Sequence, residues 1–363
     1  MNGLIEALKQ IKDERSPSGR RHPLWFILLL VILGLMTKHL TYRALGRFAL
    51  HHSYQLGRSC GIRHPSRPSY STFRRVLMGL DWHQLINAFN QWASQLTLTN
   101  SPGDCLTIDG KALRSTLRYY SLYKRNFVSI VSCFCQENGL VLAMDSRQQI
   151  TKTETQSAQE IIRNLTSDNQ VVTLDAIHCQ KPTVQNIIDG NNDYLITVKN
   201  NQKNLRKTLH DLAITTTPLS QYTELDKSRG RRIQRTISVF SLPENIKSAW
   251  LNSQRFIQVT RIGTRKYKPV DQTVYYLSSR QDNAQTFAAK IRGHWLIENQ
   301  LHWVRDTIFK EDLSPICHFQ AVTNLSILLT IAINLFRILG FRSITNGQTW
   351  LYGRLWTLAP LLE

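Results

Sequence analysis

Apolar residues in the first hundred positions recur at helical spacing between polar, often basic, residues. The stretch "LWFILLLVILGLM" (24–36) is apolar throughout, but it is too short for a membrane span, which needs roughly 20 residues. We therefore interpret it as a buried helix and expect no membrane partner. In "SRPSYSTFRRVL" (66–77), Ser69 or Ser71 is placed to cap a further helix. These patterns predict an all-helical N-terminal domain over residues 1–98.

Beyond residue 100 the pattern changes to short runs rich in β-branched and aromatic residues, which are typical of strands. The predicted strands are "CLTID" (105–109), "FVSIVSCF" (127–134), "GLVLAMDS" (139–146), "VVTLDA" (171–176) and "DYLITVK" (193–199). "CQENG" indicates a hairpin turn after the second strand, and "TQSAQEIIRNL" (155–165) is helical. The fold class predicted by this order is α/β, with a mixed sheet that begins with an antiparallel hairpin. We assign residues 99–345 to this domain and 346–363 to a C-terminal tail.

The segment from about 200 to 288 interrupts this order. It begins with a basic helix and continues as short strands, which predicts a β-rich insertion with a basic surface; the segments are "QKNLRKTLHDL" (202–212), "RRIQRTISVF" (231–240), "RFIQVTRIG" (255–263) and "TVYYLSS" (273–279). After the insertion, "AVTNLSILLTIAINLFRILGF" (321–341) predicts a long apolar helix that packs on the sheet.

The segment "IRGHWLIENQLHWVRDTIFKED" (291–312) is also predicted to be a helix. His294, Glu298, His302 and Arg305 are spaced i, i+4, i+8 and i+11, so they are expected on one helical face. Three of them, His294, Glu298 and His302, could instead chelate one transition metal in a metallohydrolase. We disfavour that reading, because zincin-type motifs place their two histidines four residues apart.

Two aspartates follow apolar strand segments, and they are the strongest chemical signal in the chain. Asp109 ends the first predicted strand and Asp175 the fourth, so both are expected at the carboxyl edge of the sheet, where open α/β folds place their sites. A helix packed there could add Glu298. Carboxylates held within ~5 Å of one another repel and normally need a cation such as Mg²⁺. Taken singly, Asp109 before Gly110 could be a turn residue, and Asp175 could be a helix cap.

The charge balance changes the picture further. The chain of 363 residues carries 45 Lys and Arg against 25 Asp and Glu, a formal charge of +20. Residues 1–100 hold 13 basic and 4 acidic side chains, and residues 201–290 hold 16 and 6. Such an excess favours a polyanionic partner, most often nucleic acid. Arg74 and Arg75, near the start of the helix after Ser69, are suited to DNA contact. The six cysteines form no CxxC pair and are expected to be free thiols.

Four sequence blocks resemble the DDE transposases of the H-repeat-associated insertion-sequence family. They are "TIDGKALRST" (107–116), "VTLDAIHCQKPTVQNII" (172–188), "YLITVKNNQKNL" (194–205) and "RGHWLIENQLHWVRDTIFKED" (292–312). The N-terminal segments resemble the domain that accompanies this family. The resemblance implies an RNase H-like catalytic core whose triad is Asp109, Asp175 and Glu298.

Further expectations follow from this resemblance. The protein would be a DNA transposase that cleaves and joins DNA at the ends of its insertion sequence, with two Mg²⁺ ions held by the triad and Mn²⁺ able to substitute. Its partners would be terminal inverted repeats and target DNA, bound by a dimer, in the prokaryotic cytoplasm at the nucleoid. DNA contacts are also expected from Lys111, Arg114, Lys199 and Gln202. The alternative is a catalytically silent, transposase-derived DNA-binding protein.

One departure concerns the residues around the last carboxylate. The broader group often carries Tyr-x2-Arg-x3-Glu-x6-Lys, whereas this chain has Ile291, His294, Glu298 and Arg305 at those positions. We expect His294 and Arg305 to carry positive charge toward DNA phosphates. Trp295 and Trp303 are expected to pack the helix against the core, although one of them could stack on an unpaired base.

Overall fold

The computed structural model describes residues 2–96, 101–114, 128–148, 152–228 and 230–355. The predicted boundary between residues 98 and 99 and the end of the predicted tail, 356–363, lie outside these ranges.

Helices form the N-terminal part, as predicted. They are α1 (Asn2–Lys9), α2 (Leu24–Met36), α3 (Tyr42–Ser59), α4 (Tyr70–Gly79) and α5 (Trp82–Ser94). Every residue of α2 except Trp25 is buried, which confirms its prediction as a core helix. Ser69 occupies the N-cap of α4. Its hydroxyl lies within hydrogen-bond distance of the Ser71 and Thr72 hydroxyls, so the start of this helix presents a cluster of short polar side chains.

A sheet of nine strands forms the centre of the protein, in the order β3-β2-β1-β4-β5-β9-β8-β7-β6. Its first five strands are β1 (Cys105–Ala112), β2 (Val128–Cys135), β3 (Val141–Gln148), β4 (Val171–Leu174) and β5 (Asp193–Val198). β2 is antiparallel to both β1 and β3, whereas β4 pairs in parallel with β1 and β5. Helices α6 (Glu154–Arg163) and α7 (Lys181–Asp189) supply the crossovers. This is the predicted mixed sheet, with the strand order of an RNase H-like core.

The basic insertion continues this sheet. Its elements are α8 (Lys203–Thr215), β6 (Ser220–Asp226), β7 (Arg231–Ser241), α9 (Glu244–Ala249), β8 (Arg255–Arg265) and β9 (Lys268–Ser278). The end of β9 pairs antiparallel with β5, with Val198 opposite Tyr275 and Leu195 opposite Ser278. The β-rich insertion is therefore confirmed, and it shares a hydrogen-bonded sheet with the strands that carry the aspartates.

Helix α11 (Phe319–Ile338) lies between the sheet and the N-terminal helices, and α12 (Ile344–Leu351) follows it. Its side chains share one apolar core with α1–α5 and with residues of β2 and β3. Asn334 of α11 donates to the Val141 carbonyl at 2.8 Å and accepts from the Val141 amide at 2.9 Å, which fixes the helix to the edge strand. By length and composition α11 could cross a membrane, but 89% of its most apolar stretch is buried inside the protein. The opposite face of β1–β5 is covered by α6, α7 and α8.

The segment that follows the insertion departs from a regular helix. Helix α10 (Ala284–Gly293) is followed by two π-helical turns, Glu298–His302 and Val304–Ile308. A π-turn bonds residue i to i+5, so it rotates every later side chain relative to an α-helix. The prediction that four side chains share one face is therefore wrong for Arg305, whereas His294 and Glu298 line one cleft and His302 lies 3.3 Å from Glu298.

Arg305 shows the consequence most clearly. Its side chain is fully buried, and its guanidinium donates to Glu311 at 2.8 Å and to the Ser326 hydroxyl of α11. The expected contact between Arg305 and DNA phosphates is not compatible with this position, because the charge is already paired inside the core.

Lys111 likewise forms ion pairs within the protein. It is 8% exposed on β1, and its Nζ lies 2.7 Å from Asp306 and 3.8 Å from Asp312. This cluster ties the strand that carries Asp109 to the π-helical segment that carries Glu298. The structure does not support the expectation that Lys111 contacts DNA, since its ammonium group is surrounded by carboxylates of the chain itself.

We predict that Arg305→Ala lowers the free energy of unfolding by roughly 3–5 kcal/mol, because the buried Glu311 carboxylate loses its hydrogen-bonded guanidinium and keeps only the more distant Lys111, at 4.0 Å. Replacing both residues, Arg305→Met with Glu311→Leu, removes both charges and should recover most of that loss. Urea unfolding of the two variants and the wild type measures the difference. A single variant within about 0.5 kcal/mol of wild type would contradict this role for the pair.

Candidate active site

Asp109 lies at the point where β1 loses its neighbour β4. The predicted strand ended at Asp109, but β1 continues to Ala112 along β2, with Asp109 opposite Ser132. On the other side, pairing with β4 stops at Ile108 opposite Leu174. Asp109 is therefore the first residue of β1 beyond the end of β4, and Asp175 directly follows that end. Neighbouring strands are about 4.8 Å apart, so the register brings both aspartates to one edge.

Asp175 begins a short turn, Ala176–His178, that follows β4. Its Oδ1 accepts a hydrogen bond from the Ala176 amide at 2.6 Å and one from Lys199 Nζ at 2.9 Å. Burial opposes ionisation, but these two donors outweigh it and lower the pKa of the Asp175 carboxyl. Asp175 is thus both a cap for the turn and a carboxylate held in its charged form beside a lysine.

Glu298 is the first residue of the first π-helical turn, and its side chain is 58% exposed. His302 connects it to Asp109: the His302 Nδ1 lies 3.3 Å from Glu298 Oε2 and 3.7 Å from Asp109 Oδ2. The hydrogen bond from His302 lowers the pKa of Glu298. Burial raises the pKa of Asp109, an effect that the nearby His302 partly offsets.

The three acidic residues line one cleft of about 270 Å³. Asp109, Glu298 and His302 place one ligand atom each within 4.8 Å of one another. Among the residues that the structure describes, Asp109, Asp175 and Glu298 do not form such a group by themselves. Like charges repel, and here Asp109 and Glu298 share His302 whereas Asp175 pairs with Lys199. The triad is therefore assembled around one cleft without direct carboxylate contacts.

His294 also lines this cleft, but it does not carry the expected positive charge. Burial lowers the pKa of its ring to about 4, so it is neutral at physiological pH. Its Nδ1 lies 3.1 Å from the Thr173 hydroxyl on β4. This ring can exchange hydrogen bonds with a substrate, whereas it cannot neutralise a phosphate. His294 also falls outside the group formed by Asp109, Glu298 and His302, so the single-helix metal site is not formed by the described residues.

The tryptophans on either side of Glu298 are more open than expected. Trp295 is 56% exposed and Trp303 is 53% exposed. The prediction that they pack into the core is therefore wrong for both. Trp295 lines the cleft next to Glu298, where its ring is accessible to a base.

The remaining predicted DNA contacts differ in their exposure. Arg74 and Arg75 are exposed on α4, as a DNA contact requires. Arg114 has 76% of its side chain exposed, with its Nε 3.6 Å from Asp312. Lys199 is more than half exposed but bound to Asp175. Gln202 donates to the Cys179 carbonyl at 2.8 Å, so it braces the chain after Asp175.

Glu154 is an acidic neighbour of the site that the sequence did not reveal. It begins α6, and its carboxylate lies against Gly110, where a Cβ atom would be 2.7 Å from it. Arg147 at 3.4 Å and the buried His178 at 3.7 Å flank this carboxylate. The capping pair of Thr153 with Gln156 marks the start of α6 in the sequence. It does not indicate that the crossover places this helix end beside Asp109.

Comparisons with known proteins agree with the geometry. The family described as "Transposase DDE domain" matches residues 101–335, and the one described as "DDE_Tnp_1-associated" matches residues 5–93.

Relatives in Escherichia coli extend over nearly the whole chain. The "Putative transposase YncI" of Escherichia coli O157:H7 is 26% identical over 93% of this chain and 88% of its own length. The "H repeat-associated putative transposase YhhI" of strain K12 is 26% identical over 92% and 89%.

Among solved structures, the cryo-EM structure of the piggyBac transposase synaptic complex with hairpin DNA aligns over 97% of this chain and 75% of that chain. Its TM-score is 0.49 and its identity 13%, a likeness too weak to add to the assignment. The transposase domain match covers well over half of the residues, together with the strands and the helical segment that carry the three acids. This protein therefore belongs to the family of DDE transposases.

Proposed function

We propose that this transposase cleaves DNA at the ends of its insertion sequence and joins those ends to target DNA, by metal-dependent phosphodiester hydrolysis and strand transfer. The observation that carries the proposal is the convergence of Asp109, Asp175 and Glu298 on one cleft in a chain with a formal charge of +20. A cleft with three acids is a poor site for a polyanion unless cations offset the carboxylates.

The residues fit a hard divalent cation. Carboxylate oxygens are the preferred ligands of Mg²⁺, and Asp109 is a half-buried carboxylate close to a second one, Glu298. We propose that Asp109, Asp175 and Glu298 together hold two Mg²⁺ ions, for which Mn²⁺ can substitute. When bound, such ions supply an activated water or 3′-hydroxyl and a counter-charge for the leaving oxygen.

Other side chains prepare these carboxylates for ligand binding. Lys199 keeps Asp175 ionised, and because the lysine is more than half exposed, its release to a DNA phosphate costs little. His302 holds Glu298 toward Asp109 through its Nδ1. The neutral ring of His294 positions substrate by hydrogen bonding, and Trp295 offers its exposed face to an unpaired base.

DNA contacts outside the cleft complete the proposal. Residues 1–98 would form a DNA-binding domain, with Arg74 and Arg75 reading the terminal inverted repeats. Residues 99–345 would form the catalytic domain, and 346–363 the tail. Two ends must meet before they are joined, so we propose a dimer in the DNA complex. The protein would act in the prokaryotic cytoplasm at the nucleoid.

We predict that Asp109→Asn, Asp175→Asn and Glu298→Gln each reduce cleavage to background and leave DNA binding intact. The carboxylates hold metal, whereas basic surfaces hold phosphates, so removing a negative charge does not weaken DNA affinity. The measurement is Mg²⁺-dependent cleavage of a duplex that carries the ends of the element, alongside binding of the same duplex.

Two results would change the assignment. A single variant that cuts near the wild-type rate would remove that residue from the triad. A wild-type protein that binds the duplex but never cuts it in Mg²⁺ or Mn²⁺ would identify the catalytically silent DNA-binding alternative.

We also predict a strong dependence of binding on salt. Neutralising even six phosphates gives a slope of about −5 in a plot of log K against log salt concentration. A fluorescence titration at several salt concentrations measures this slope. A slope near zero would eliminate nucleic acid as the partner.

A further prediction concerns sequence recognition. Arg74→Ala combined with Arg75→Ala should lower the discrimination between inverted-repeat and random DNA, because these residues lie on the exposed face of α4, in its second turn, where they can reach a groove. The control is Arg231→Ala combined with Arg232→Ala on β7. It removes the same charge and should weaken binding to both DNAs about equally. Competition binding at fixed salt compares them, and the opposite pattern would reassign recognition to the insertion.

A further inference from the structure

The active-site cleft extends beyond the acidic residues onto the insertion. Its lining includes Gln272, Val274 and Tyr276 of β9 and Arg261 of β8, on the same sheet as the strands of Asp109 and Asp175. The continuous sheet therefore carries a cationic side chain into the cleft that holds the three carboxylates.

Arg261 differs from the arginine beside it. In the sheet register, Arg261 lies between Arg235 of β7 and Gln272 of β9. Arg235 is paired with Glu224 at 2.6 Å, and Glu224 also binds Arg292. Within the described residues, Arg261 makes no ion pair, and its hydrogen bond to the Gln272 side chain is long at 3.4 Å. Its Nε is buried without a hydrogen-bond partner there, as is the Nε of Arg235, so the ion pair is what distinguishes the two arginines.

This arrangement is costly for the protein on its own. The Nε of this half-buried guanidinium loses hydration that no hydrogen bond replaces, and buried charged groups are normally paired. Burial lowers the pKa of Arg261, and the charge of Arg235 acts in the same direction. An anion that enters the cleft would relieve both effects. A guanidinium is also the side chain whose planar donors best match phosphate oxygens.

We propose that Arg261 binds a backbone phosphate of DNA in the active-site cleft, so that strand β8 of the insertion provides a phosphodiester subsite beside the triad. This subsite rests on the proposed transposase function. Tyr276 links the two parts of the cleft: burial raises the pKa of its hydroxyl, and the charges of both Arg261 and Asp175 act on it. A phosphate held by Arg261 would thus lie on the same sheet face as the acids, and the arginine would offset their repulsion of the DNA backbone.

The test compares Arg261→Met with Arg235→Met. The two arginines lie opposite each other on the paired strands β8 and β7. The Arg261 variant should bind a duplex carrying the terminal inverted repeat about tenfold or more weakly, with the salt slope reduced by about one. Its melting temperature without DNA should stay the same or rise, because the charge that is removed is half-buried and has no ion-pair partner among the described residues. Arg235→Met should lower the melting temperature, because Glu224 loses a partner, and should weaken binding less. Arg261→Lys should restore part of the affinity.

Phosphate replacement provides the decisive measurement. Duplexes with one neutral methylphosphonate at each successive position near the cleavage site are titrated against the wild type and Arg261→Met. We expect one or two positions at which the wild type loses affinity and the variant does not. If the variant keeps the full wild-type profile of losses, Arg261 does not bind phosphate and the inference is wrong. A wild type that fails to bind or cut the unmodified duplex would instead overturn the proposed function itself.

Discussion

The parallel pairing of β1 with β4 is the constraint on which the site depends. Pairing ends at Ile108 and Leu174, and the next residue of each strand is an aspartate. A shift of one residue in this register would turn one of the two side chains to the opposite face of the sheet. The apolar residues of both strands resist such a shift, because they are buried on both faces of the sheet. Core packing and the geometry of the proposed active site are therefore set by the same hydrogen bonds.

The third acid is positioned by electrostatics as well as by packing. Glu298 reaches the sheet edge on an irregular helical segment, which is tied to β1 by Lys111 and to α11 by Arg305. These two side chains look like phosphate ligands in a basic sequence, yet both are bound by carboxylates of the chain. The count of 45 Lys and Arg thus overstates the number of basic side chains available to DNA. The exposed arginines of α4 and the unpaired Arg261 are better placed to meet a polyanion.

Much of the architecture follows from the local sequence. The apolar segments predict five strands, their order along the chain and the α2 core helix. The two aspartates mark the edge of the sheet. The helical segment around Glu298 was harder to predict, because residue spacing alone assumes a regular α-helix. π-Turns leave no signature in the pattern of apolar and polar residues. The neutrality of His294 and the position of Glu154 depend on what packs around them in three dimensions. The exposure of Trp295 and Trp303 also depends on three-dimensional packing. From sequence alone they are expected to be buried, as aromatic residues in apolar segments usually are.

The pairing of β9 with β5 has a mechanical consequence. Only Tyr275–Ser278 of β9 contacts β5, so residues 268–274 extend past the core together with the facing part of β8. At about 3.4 Å per residue, this ribbon spans roughly 20 Å from the last residue paired with β5, a little over half a helical turn of duplex. The ribbon is a direct continuation of the sheet that carries the acids, because the pairing of β8 with β9 is unbroken where the ribbon leaves the core. Insertions or deletions at its tip would change how far along a duplex the protein reaches, while the spacing of the acids stays the same.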